Sequence, residues 1–181
     1  DVAGTLPAII GKRALNRGIE NVAVSADGAT VYVLMQSPLA NPDNDAYKKS
    51  ANVRLWKIER ASGKVLGQYL YVMDDPTSFR TDNKKEAQKQ NAVRLSEMVA
   101  IGNDKLLVLE RINRTSKFYM VDLAAATPVD ASFDDVATSP SLEQTGAAEL
   151  AAKGMNPAAK TLVLDTDDLE GMPKKIEAIA V

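Results

Sequence analysis

The chain has 181 residues, 45% of them hydrophobic, with a net charge of −2. That is one domain's worth of residues with enough apolar content for a core, no bulk positive charge for nucleic acid, and no apolar run long enough to span a membrane. It contains neither Cys nor His, which excludes disulfides, thiolate chemistry, a Ser-His-Asp triad and His-ligated zinc; any metal would need oxygen ligands, as calcium and magnesium do.

The first residues, Asp1-Val2-Ala3-Gly4, do not read as a signal peptide, although one could have been removed. Residues 5–15 carry Pro7 and Gly11 and read as an extended segment. Strands are predicted at 20–25 and 30–36, joined at Asp27-Gly28, since Asp-Gly between apolar runs is a hairpin signal. Residues 36–51 read as a polar loop, followed by strands at 53–59 and 64–72 that turn at Ser62-Gly63. These four make one antiparallel unit.

Residues 74–92 are charged, with a helical tendency over 84–90. The cycle then restarts with strands at 97–101, 105–110 and 117–123. Residues 124–159 are rich in Ala, Ser and Pro, with a short helix expected over 142–153 that stops at Gly154. A strand at 160–165 completes the second unit. Aligning the units places Tyr119 on Trp56 and Val121 on Ile58.

One motif ties the units together: Glu, any residue, aliphatic, Ala, aliphatic. It occurs at Glu20, Glu97 and Glu177, at intervals of 77 and 80 residues. Repeats of this kind imply stacked supersecondary units, and four antiparallel strands per unit is the propeller plan. The expected architecture is therefore all-β, a β-propeller fragment with blade one at about 18–73, blade two at about 94–166 and the start of a third at 174–181. Trp56, Tyr119, Val31 and Leu107 read as blade-packing residues, and Ala23, Ala100 and Ala180 as small residues near a crowded axis.

Asn16-Arg17-Gly18-Ile19-Glu20-Asn21-Val22-Ala23-Val24-Ser25-Ala26-Asp27-Gly28-Ala29-Thr30-Val31-Tyr32 resembles the N-R-G-hydrophobic-E-G-hydrophobic-A-hydrophobic-S-P-D-G-K-T-L-Y signature of the phytase-like β-propellers. Leu106 to Arg111 resembles that family's L-L-V-L-E-R segment, and Lys174 to Ala180 its later K-I-E-G-L-A. The usual Gly after Glu is Asn21 in the first copy and Ala178 in the third. Family domains are about twice as long, so the resemblance implies a partial domain completed by further blades or by a second chain. It also implies a bacterial protein exported to the periplasm or beyond, and hydrolysis of phosphate or other small-molecule esters with calcium assistance. A non-catalytic propeller serving as an interaction scaffold is the alternative, since fold does not fix function.

The candidate site residues follow the repeat. Glu20, Glu97 and Glu177 each enter an inner strand, so they are expected to converge on one mouth of the channel. In related propellers such acids hold calcium; the competing reading is that each Glu locks neighbouring blades through hydrogen bonds. Arg17, Arg94 and Lys174 each stand three residues before a Glu, and either bind substrate phosphate or pair on the surface. Glu110 and Arg111 end a strand with no matching pair in the first unit, where Gln36-Ser37 stands, and are further candidates for substrate contact. Asp43-Asn44-Asp45 and Asp165 to Asp168 resemble calcium loops in composition only and read as solvated loops.

Overall fold

A computed structural model describes residues 5–180. Strands β1 (Ile19–Val24), β2 (Thr30–Met35), β3 (Asn52–Glu59) and β4 (Val65–Val72) form one four-stranded antiparallel sheet in sequence order. Strands β5 (Arg94–Gly102), β6 (Lys105–Arg111), β7 (Ser116–Asp122) and β8 (Ala159–Asp165) form the second in the same order. The first hairpin turns at Gly28, whose φ of +70° suits a residue without a Cβ. Asp27 closes the turn by accepting from the Ser25 hydroxyl and the Ala29 amide.

The sheets are consecutive propeller blades whose inner strands, β1 and β5, lie side by side. The Leu95 amide donates to the Gln36 carbonyl at 3.0 Å. Asn21, fully buried, donates through Nδ2 to the carbonyls of Leu34 and Leu95 at 3.2 and 3.0 Å. Residues alternate across a strand. Ala23, Tyr32, Leu34 and Leu55 therefore share the blade-one face that meets Met98, Leu106, Val108, Tyr119 and Val121 of blade two in one buried core. Each of the larger aliphatic side chains contributes about 1.5–3 kcal/mol by leaving water.

Two polar clusters lock the same interface. Asp104, in the β5–β6 turn, accepts from the Tyr32 hydroxyl at 3.0 Å and from Lys57 Nζ at 2.6 Å. Burial and this carboxylate push the Tyr32 hydroxyl up to about 12. Asp74, just after β4, takes Lys117, Lys160 and Tyr119 from blade two, and Glu110 takes Tyr71, the Asp74 amide and Lys160.

Several local expectations are corrected. Residues 8–12 form a 3-10 turn rather than an extended segment. Ile9 is buried, and Leu6 and Ile10 pack against the blade-one core. The polar loop contains a short helix, α1 (Asn44–Lys49), capped by the Asp43 carboxylate. The 84–90 stretch carries no α-helix; a short one, α2 (Arg80–Asn83), precedes it, and a 3-10 turn starts at Gln90. The third helix, α3 (Ala147–Ala152), is shorter than expected and stops before Gly154, whose φ is +68°.

Residues 174–180 pair with no strand among the described residues; Val181 lies outside the described residues. One further correction concerns the repeat. The ladder places Trp56 opposite Val33 and Met120 opposite Leu107. With Val22 and Val99 superposed, Met120 is thus the counterpart of Trp56. Tyr119 faces the other way, into the blade interface, and a one-residue slip is what reverses a strand's faces.

The 124–159 excursion leaves blade two and folds over the outer edge of blade one. The Val129 and Ala158 amides donate to the carbonyls of Gln68 and Leu70 on β4. Val129, Phe133, Leu142, Leu150 and Met155 cluster on Leu70. Arg54, completely buried, reaches Glu143, Asp134 and the Phe133 carbonyl. The edge strand is covered, as exposed edges generally are.

Candidate functional site

A polar cleft of about 480 Å³ opens where the two inner hairpins meet, lined by Leu15, Asn16, Arg17, Glu20, Gln36, Tyr47, Arg94, Arg111 and Glu177. Arg17 and Glu20 flank the entry to β1, Arg94 begins β5, and Arg111 ends β6 directly opposite it. Tyr47 comes from α1 and Gln36 follows β2. Five of the expected residues, Arg17, Glu20, Arg94, Arg111 and Glu177, are thus brought together.

A hydrogen-bonded chain orders one wall. Arg17 Nε donates to the Tyr47 hydroxyl at 3.1 Å and Arg17 Nη1 to Gln36 Oε1 at 3.4 Å. Gln36 Nε2 in turn donates to Glu20 Oε2. On the other wall Arg111, 3% exposed, donates from Nη1 to the Ile112 carbonyl and from Nη2 to Glu177 Oε1 at 2.6 Å.

Arg94 stands between these walls with no hydrogen bond or ion pair to any described residue, and its Nε is buried without an acceptor, as is that of Arg111. Burial, followed by the like charges of Arg17 and Arg111, pulls the Arg94 guanidinium below its usual value. Three guanidinium groups facing two carboxylates leave a surplus of positive charge, the setting that recruits a multiply charged anion.

The remaining expected residues lie elsewhere. Glu97 does not reach the cleft; one carboxylate oxygen accepts from the Met98 amide. The cause is a shifted β-bulge. In β1 the irregularity falls between Ile19 and Asn21 and throws Glu20 outward, whereas in β5 it falls between Leu95 and Glu97 and leaves Ser96 unpaired. Glu110 alternates away from Arg111 into the blade interface, where it is fully buried. Burial, partly offset by Lys160, pushes its carboxyl up. Lys174 is exposed and outside the cleft. Gln36 and Tyr47 also line the cleft without a sequence signal: Gln36 stands where the second unit has its Glu-Arg pair, and Tyr47 sits on α1 within a polar stretch.

Among the described residues no three acidic side chains stand close enough to hold a metal ion. Calcium fits this donor set poorly. Glu20 and Glu177 are each engaged by a donor, Glu97 stands apart, and three guanidinium groups repel a divalent cation.

No helix among the described residues is long and apolar enough to cross a membrane. No curated protein and no solved structure matches the chain. The model of one family, described as "Phytase-like: Esterase-like activity of phytase", matches residues 3–181. With two stacked four-stranded blades and a match over nearly its whole length, the chain belongs to this phytase-like propeller family.

Proposed function

We propose that the cleft is the substrate site of a hydrolase acting on phosphate esters, with Arg17, Arg94 and Arg111 holding the phosphoryl oxygens. The observation that carries this reading is Arg94, a guanidinium that no described acceptor engages directly, set between two other guanidinium groups. Guanidinium groups bind phosphate through paired, charge-assisted hydrogen bonds and offset charge that develops during transfer.

The chain's own residues supply a route for the proton. Glu20 is exposed at the cleft and engaged by Gln36 through one oxygen. It takes the proton of the attacking water as the new phosphorus–oxygen bond forms. The Tyr47 hydroxyl accepts from Arg17, which directs its own proton elsewhere. That proton goes to the departing ester oxygen as its bond to phosphorus breaks. No step is routed through calcium.

A second reading is anion binding without turnover, as in a scaffold. It is favoured by the lack of a three-acid metal set among the described residues.

Hydrolysis of p-nitrophenyl phosphate and binding of inorganic phosphate separate the two. The Arg94→Ala variant is expected to lose about 10- to 100-fold in kcat/KM, the worth of one charge-assisted contact, with its thermal stability unchanged. Phosphate binding without turnover would select the scaffold reading. An Arg94→Ala enzyme as active as the parent would overturn the site assignment.

A further inference from the structure

We propose that Glu177 is the cleft's resident anion: its carboxylate holds, on Arg111, a place that a substrate's phosphate takes, so that an anion binding there displaces it. This rests on the phosphate reading above.

Arg111 is fixed. Its side chain is 3% exposed, and Nη1 is held by the Ile112 carbonyl, which leaves Nη2 as its group directed at the cleft. That group is occupied by Glu177 Oε1 at 2.6 Å. The carboxylate is ionised, since Lys175 at 3.0 Å, with Arg111 and Arg94, pulls it below its usual value. It is also the exposed member of the pair, with a side chain 55% exposed. The buried Arg111 charge needs an anionic partner, and a ligand that makes several such bonds at once takes that place from a single carboxylate.

Charge sets the selectivity. With Glu177 seated, Arg17, Arg94 and Arg111 face Glu20 and Glu177 across the cleft. When Glu177 leaves, one carboxylate remains against three guanidinium groups, a surplus that a dianion neutralises and a monoanion does not. Glu20 cannot play the same part, because it is anchored on β1 and held by Gln36.

The test is calorimetric titration of the whole chain with sulfate, a dianion of phosphate's shape, and with nitrate, a monoanion, at constant ionic strength. The parent is expected to bind sulfate and to discriminate strongly against nitrate. Glu177→Gln is expected to bind sulfate and nitrate each about tenfold more tightly, since both displace the same carboxylate, so that the two affinities rise together. Glu177→Asp, whose shorter side chain reaches Arg111 less well, should lie between them. A merely structural role for Glu177 would change thermal stability and leave both affinities alone. Equal affinities in parent and Glu177→Gln would overturn the Glu177 assignment while the arginine site stands. Weaker sulfate binding by Glu177→Gln would overturn it too. No sulfate binding by either protein would remove the phosphate reading and this one with it.

Discussion

Asp74→Asn breaks the polar lock between the blades, and its effect on stability carries a pH signature. Asp74 Oδ2 accepts from Lys117 at 3.0 Å and Oδ1 from Lys160 at 2.6 Å, with Tyr119 as a third donor. The Asp74 side chain is 20% exposed and that of Lys117 only 5%. Burial pushes the Asp74 carboxyl up, but Lys160, Tyr119 and Lys117 together overcome it and hold it at about 2, against an ordinary 3.8. A depressed carboxyl stabilises the fold fully above its unfolded value and loses that contribution as pH falls through its folded value. The window therefore runs from about pH 4 down to about 2. At roughly 1.4 kcal/mol per unit the contribution is about 2 kcal/mol. Removing the charge also leaves the buried Lys117 without a counter-charge, beside the Ser78 hydroxyl and the Phe79 ring, which brings the expected loss near neutral pH to about 3 kcal/mol. Urea denaturation followed by the fluorescence of Trp56, the single and fully buried tryptophan, reads this directly. The gap between parent and variant is expected to narrow by about 2 kcal/mol between pH 4 and 2. A gap that stays constant over that range, or one below about 1 kcal/mol at neutral pH, would refute the reasoning.

Two further substitutions examine the blade junction and the acids. Asn21→Ala removes both donations that join the Leu34 and Leu95 carbonyls, but also an unpartnered buried oxygen, so the expected cost is about 1–2 kcal/mol in urea denaturation. No loss at all would mean that this side chain does not tie the blades together. Glu20→Gln is expected to abolish ester hydrolysis while retaining phosphate binding, whereas Glu97→Gln leaves both unchanged. A matched loss of turnover in the two variants would return Glu97 to the site.

The blades themselves were legible because their signals are local. Period-two apolar runs, turns at Gly28 and Gly63, and the recurring Glu-x-aliphatic-Ala-aliphatic motif are all contained within one hairpin. The departure at Asn21, where the related signature carries Gly, was visible as a letter and opaque as a cause. Its amide reaches across to Leu95, 74 residues away, and no local pattern records a contact at that distance. The excursion over 124–159 was invisible for the same reason. Arg54 reads in sequence as the outward member of an alternating strand, yet it is completely buried because Glu143 and Asp134 arrive from the other blade's loop.

The acids show how finely the candidate site depends on register. Glu20 and Glu97 occupy equivalent letters of the repeat, and a sequence argument must treat them alike. Sheet hydrogen bonding does not: a one-residue displacement of the bulge gives Glu20 to the cleft and leaves Glu97 opposite Leu109. The arginines that precede these two acids escape this divergence. Arg17 precedes the first bulge, and Arg94 pairs directly with Arg111 before the second begins. Repetition therefore delivers Arg17 and Arg94 to the junction, where Arg111 joins them, while the shifted bulge withdraws Glu97. The result is a cleft whose charge balance favours an anion over the cation that equivalent acids alone would have suggested.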